Sequence, residues 1–171
     1  MLLKELSNEK LFEIVSKNKT LRRSFDDYVW ECELDYISDK LKVVNPALSD
    51  WSIGVCSYNY ISVKDYESFV YYARECERSF GLSIACEKKL SMCEKLRGTN
   101  LFEYHAKQFA EMWFDNEIQS VVKWVEDLSY DVSCGKNSEN AYDYLEDWAY
   151  NVNYYFDEET GEVFEPARKV S

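Results

Sequence analysis

The sequence has little of what breaks a chain and little of what closes a metal site. Its 171 residues include five glycines, two prolines and one histidine. So few breakers argue against a many-turned β sandwich and favour long helices. A lone His105 excludes any two-histidine metal motif. There is no C-x-x-C pair, no G-x-S-x-G, no glycine-rich phosphate loop and no dinucleotide fingerprint, so the spacings that mark the common nucleophilic and nucleotide chemistries are missing. No apolar run approaches the roughly 18–20 residues that cross a bilayer. Charges at Lys4, Glu5, Glu9 and Lys10 interrupt the opening stretch where a secretory signal would be apolar. The expectation is a cytoplasmic protein.

The last absence is regional. Residues 108–165 hold fifteen acids but only two bases, Lys123 and Lys136, a net of −13. Residues 1–64 carry a net of −1, residues 65–107 a net of 0, and Arg168 and Lys169 return +2, for −12 in all. The charge excess is therefore confined to the last third. A segment so charged repels itself, which makes a use for the field the natural question.

What is present is a core. Hydrophobic residues make up 46% of the chain, too many for a disordered acidic polymer. The expectation is one α+β domain, residues 1–171, dominated by about six helices, with an acidic C-terminal subregion at 108–165. Leu11, Ile14 and Val15 predict a helix over 7–17. Leu21, Phe25, Tyr28, Val29, Cys32, Tyr36, Ile37 and Leu41 predict a longer one capped by Thr20 and ended before Pro46. Alternation at Trp51, Ile53, Val55, Ile61 and Val63, with a turn candidate at Tyr58-Asn59, predicts a β-hairpin or one bent strand, and a small antiparallel β-hairpin near 51–63 is the expectation adopted.

Asp65 and Gly81 bracket the next helix, and Ser83 and Gly98 the one after. Asn100 and Glu103 have capping-box spacing ahead of one long helix through Leu128. After a break at 133–140, Ala141, Leu145, Trp148, Val152 and Tyr155 mark the inward side of a last helix. Tyr155-Phe156 and Val163-Phe164 around Thr160-Gly161 predict a C-terminal hairpin over 154–164. The six cysteines suit buried free thiols in a reducing compartment, with Cys86 and Cys93 on one helical face.

Residue by residue, chemistry fares poorly. His105 falls in line with Leu101, Phe109 and Met112, so a core-edge role outweighs catalysis. Glu87 and Lys89 have the Glu-x-Lys spacing that nucleases place on a strand, but the surrounding period here is helical. Asp157, Glu158, Glu159 and Glu162 lack the alternation of a calcium loop. No catalytic residue, metal ligand or cofactor is expected, and a net charge of −12 disfavours direct nucleic-acid binding. What remains is recognition. Glu139, Asp143, Glu146 and Asp147 share one face opposite Leu145, Trp148 and Val152. Tyr154, Asp157, Glu158, Glu159 and Glu162 extend that surface, and Tyr142, Tyr144, Tyr150 and Tyr155 add stacking capacity.

The runs "DDYVWECELDY" and "YDYLEDWAYNVNYYFDEETGE" give the chain a resemblance, in composition, to the acidic inhibitor proteins of phages and mobile elements, such as anti-CRISPR and antirestriction proteins. Several of those imitate nucleic acid. The resemblance implies a non-enzymatic inhibitor acting in the host bacterial cytoplasm on a basic nucleic-acid-binding protein such as a CRISPR effector nuclease. Two other expectations stand beside it. One is an immunity protein or antitoxin using the same electrostatics. The other is an assembly protein that forms a homodimer through aromatic patches.

Overall fold

In the computed structural model residues 1–136 and 139–165 are described. The fold is helix-dominated α+β, with a small antiparallel hairpin in mid-chain and another near the C-terminus. Two compact units divide the chain: Met1–Glu31 with the described part of Asp127–Ser171, and Cys32–Glu126. Among the described residues no helix is long and apolar enough to cross a membrane. The break expected at 133–140 lies partly outside the described residues, and Arg168 and Lys169 lie wholly outside them.

The first unit begins with α1, Asn8–Lys17, which buries Leu11, Phe12, Ile14 and Val15. The hydroxyl of Ser7 accepts the Lys10 amide at 3.3 Å and starts the helix. Asn18 then serves two helices. Its amide donates to the Ile14 carbonyl to close α1, and its Oδ1 accepts the Leu21 amide at 3.1 Å to open α2, Lys19–Val44. The cap expected at Thr20 is thus at Asn18, because α2 starts at Lys19, which puts Thr20 inside the helix and Asn18 where its side chain reaches an orphan amide of the first turn.

On the same unit, α6 (Ser120–Ser133) contributes buried Leu128 and Val132, and α7 (Glu139–Val152) buries Ala141, Leu145, Trp148 and Ala149. Past α7, Asn153 takes the left-handed conformation (φ 53°), and the period of the chain changes from helical to extended. For that reason Tyr155 is exposed, against the expectation, and its neighbour Phe156 is buried. β3 (Tyr155–Phe156) and β4 (Val163–Phe164) pair antiparallel, Tyr155 opposite Phe164 and Phe156 opposite Val163. The terminal hairpin is the one the sequence predicts. A partner it does not predict is the segment ahead of α1: Leu2 bridges Tyr155 antiparallel, and the Leu3 amide donates to the Tyr154 carbonyl at 3.0 Å.

In the second unit the C-terminal half of α2 supplies buried Ile37, Leu41 and Val44. Cys32 and Tyr36, expected inward, are exposed. Tyr36 instead meets the ring of Phe80 edge-on at 5.8 Å. A 3₁₀ turn at Asn45–Ala47 contains Pro46 and leads into β1, Leu48–Ser52. β1 pairs antiparallel with β2, Tyr60–Val63, Trp51 facing Ile61, with a register irregularity between Leu48 and Asp50. Ile53 and Val55 lie in the connecting loop and not in a strand. That loop is held by side chains: Asn59 Oδ1 accepts the Gly54 amide at 2.8 Å, and Glu126 Oε1 accepts the Cys56 amide at 2.8 Å.

Asp65 caps α3 (Tyr66–Phe80), which Gly81 ends at φ 77°, and Ser83 caps α4 (Ile84–Lys95). Before α5, Phe102–Trp113, Asn100 makes no cap. The N-cap position is Leu101, without a side-chain bond, and the Thr99 hydroxyl accepts the Leu101 amide at 3.3 Å. Thr99 closes a local turn that the capping-box spacing of Asn100 and Glu103 does not reveal. A π-helical segment, Phe114–Gln119, joins α5 to α6 without a break, so the long helix expected through Leu128 is one continuous helical run. Phe69 meets Trp113 edge-on at 5.6 Å and Phe109 at 6.0 Å, and these three fully buried rings centre the core. Arg74 of α3 reaches Glu87 at 2.8 Å and Glu94 at 2.5 Å on α4, so the two helices are tied by charge as well as by packing.

Candidate functional site

α7 sets the geometry of the acidic face. With 3.6 residues per turn, Ala141, Leu145, Trp148 and Ala149 fall on one side, so Glu139, Asp143, Glu146 and Asp147 fall on the other. All four are exposed. The buried side fixes the helix firmly. Trp148 lies edge-on to Phe25 at 5.8 Å, and its indole N–H donates to the Ser24 hydroxyl at 3.1 Å. Phe12 meets Tyr142 edge-on at 6.2 Å. The acids are therefore carried on an ordered mount and not on a floppy tail.

The hairpin that follows carries the other expected acids. Glu158, Glu159 and Glu162 are exposed around the turn. Asp157 is half-buried and partly committed to structure: its Oδ1 accepts the Glu159 amide at 2.9 Å, and its carbonyl accepts the Gly161 amide at 2.8 Å. Gly161, at φ 73°, supplies the left-handed residue the turn requires. Tyr154 is also half-buried, 6.5 Å from the Trp148 ring, and lines a cavity of about 420 Å³ with Arg23, Asp27 and Glu31 of α2. It stands beside the acidic face and is not in line with its carboxylates.

Composition separates this segment from the rest of the surface more than pairing does, because among the described residues some carboxylates elsewhere are paired and others, such as Glu111 and Asp115, are not. Elsewhere Glu13 pairs with Lys10 and Lys17, Glu103 with Lys107, Glu75 with Arg78, and Arg74 with three carboxylates. Residues 139–165 contain nine carboxylates and no lysine or arginine. Among the described residues none of the nine is in an ion pair. Glu165, exposed next to β4, is the ninth; the sequence reading did not include it, although its place after alternating β-prone residues marked it as accessible.

No family model, no curated protein and no solved structure matches this chain. The site is therefore read from its own geometry. Among the described residues no group of three His, Cys, Asp or Glu side chains is placed to hold a metal ion. His105 Nδ1 lies 2.9 Å from Lys89 Nζ, which also donates to Gln108 at 2.7 Å. Lys89 and Glu87, noted for their nuclease-like spacing, sit on α4 and are engaged separately, Lys89 with His105 and Glu87 with Arg74. Cys86 accepts from the Asn116 amide group at 3.4 Å. Burial raises the Cys93 thiol above its ordinary value, which is unfavourable for a nucleophile.

Proposed function

We propose that this chain is a non-enzymatic inhibitor that binds a basic nucleic-acid-binding protein through the acidic face of α7 and the β3–β4 hairpin, in the manner of an anti-CRISPR or other anti-defence protein of a phage. The observation that carries the reading is the set of nine carboxylates, Glu139 to Glu165, in a segment without lysine or arginine, none of them in an ion pair among the described residues. Along α7 the row Glu139, Asp143, Asp147 repeats about every 6 Å. Duplex DNA presents one charge per about 1.7 Å of axis over both strands, so a row of this kind offers a basic channel part of the charge it normally holds. Like-signed carboxylates also steer encounter with a cationic partner from a distance. Exposed Tyr150 and Tyr155 supply flat rings beside that charge. The place of action is then the host bacterial cytoplasm. A cognate basic toxin in place of a defence nuclease would use the same face.

The test is DNA cleavage by purified CRISPR effector nucleases with and without the chain, in low salt and in roughly 0.5 M salt, where screening shortens the reach of exposed charge to a few ångströms. The chain inhibits in low salt. The variant Asp143→Asn/Glu146→Gln/Asp147→Asn/Glu158→Gln/Glu159→Gln does not. Equal inhibition by that variant, or inhibition indifferent to salt, would remove the acidic face from the mechanism.

A further inference from the structure

We propose a second docking site in the Cys32–Glu126 unit: the groove between β2 and α5 takes an extended, lysine- or arginine-bearing segment of a partner protein as a third β-strand. This inference does not depend on the acidic face of α7.

β2 is paired on one side only, in a sheet of two strands. Its inner side is identified by two bonds. The Ser62 carbonyl accepts from the Ser49 hydroxyl at 3.2 Å, and the Lys64 amide donates to the Ala47 carbonyl at 2.9 Å. Main-chain groups of a strand alternate in direction, so those of Ile61 and Val63 face away from β1. An edge of this kind is a template for another strand.

The space beside the edge has the dimensions of a short strand. A cavity of about 550 Å³ is bounded by Tyr60–Val63 on one wall and by Lys107 to Asp115 on the other, with Tyr66 between. Four strand residues span about 13 Å, and eight helical steps span about 12 Å, so the walls match in length.

Charge selects the occupant. Lys107 is already engaged, 3.4 Å from Glu103 and above the Tyr66 ring. Glu111 and Asp115, in the same wall, are in no ion pair among the described residues. They are one turn apart, about 6 Å along the helix. Alternate residues of a strand are about 6.6 Å apart on one face. A strand with basic side chains at alternate positions meets both carboxylates while its main chain bonds to Ile61 and Val63.

The experiment uses the full chain, labelled with nitrogen-15, and three end-capped peptides of about eight residues. One alternates valine and lysine, one alternates valine and glutamate, and one is the lysine peptide N-methylated on every second amide. The lysine peptide shifts the Ile61 and Val63 amide resonances. Methylation weakens its binding about tenfold, because the main-chain bonds are lost. Glu111→Gln/Asp115→Asn weakens it about fivefold or more. In Asp143→Asn/Glu146→Gln/Asp147→Asn the same two resonances move as in the parent, which separates this site from the α7 face. Equal binding of the glutamate peptide, indifference to methylation, or shifts confined to residues 139–165 would overturn the proposal. So would no shift at Ile61 or Val63 with millimolar lysine peptide.

Discussion

Lys40 of α2 and Glu117 of the π segment bring Nζ and Oε2 to 2.9 Å, with side chains only 5% and 12% exposed. The Tyr36 ring lies 4.4 Å from the same ammonium, and the Ser83 amide donates to the other carboxylate oxygen at 3.4 Å. Removing one partner strands a buried charge. Lys40→Met or Glu117→Leu alone is expected to cost about 3–5 kcal/mol, and the double variant to recover most of it. Urea unfolding of the four proteins measures both effects. A double variant as unstable as the worse single one would show that the pair acts through more than charge compensation.

Asp26 accepts from the Ser129 hydroxyl at 3.0 Å, and burial, the largest influence on it, raises its carboxyl above the ordinary aspartate value. The native state thus holds this proton more readily than the unfolded chain does. As pH rises from the ordinary value through the raised native one, the unfolded state binds fewer protons than the native state, so this group's contribution to stability falls. Asp26→Asn keeps an acceptor for Ser129 and removes the titration. Melting temperatures across the acid range should show the variant gaining on the parent as pH rises, and more stable than it near neutrality.

Leu145 and Trp148 carry the mount of the acidic face, and both are fully buried. Leu145→Ala is expected to cost about 2–5 kcal/mol and Trp148→Ala about 3–5 kcal/mol. Trp148→Phe keeps most of the volume but leaves the Ser24 hydroxyl without its indole donor, a smaller loss of about 1 kcal/mol for the bond. Tryptophan fluorescence and denaturant midpoints separate the three.

The cysteines divide by burial. Cys32, Cys56 and Cys134 are exposed, whereas Cys76, Cys86 and Cys93 are buried. Burial, the largest influence on Cys76, pushes its thiol up to about 11. An aromatic disulfide reagent at mildly alkaline pH should therefore label the first three in the native protein and the other three only on unfolding. Rapid native labelling of Cys76 would mean that its surroundings open readily.

Helical periodicity and turn chemistry were legible where they acted locally. Ser7, Asp65 and Ser83 cap the helices they were expected to cap, because each bond joins residues two or three apart. The terminal hairpin was readable from two β-prone pairs around Thr160-Gly161. What escaped depended on distant partners or on fine backbone choices. Asn18 displaced Thr20 as a cap because one residue serves two helices. Leu2 joins Tyr155 across most of the chain, which no local pattern encodes. The carboxylates of α7 could be placed on one face from spacing, whereas their lack of ion pairs among the described residues needed coordinates. The β2 edge was equally hidden, since a strand's composition does not say which of its sides is left open.

The π segment has a consequence for how this chain tolerates length change. Buried Trp113 and Ile118 are five residues apart, a spacing that an unbroken α-helix, turning about 100° per residue, would put on different sides. The wider turn absorbs one surplus residue. Delete one exposed residue of the segment, Asp115 or Asn116, and the helix closes into regular α geometry with Ile118, Val122 and Val125 still on the side of Trp113. The same deletion in a regular stretch of α6 would turn everything after it by about 100°. A loss that would be a frame error in three dimensions elsewhere in a helix is confined here to a single turn, so a lineage of this chain can shed that residue without rewriting the helix that follows.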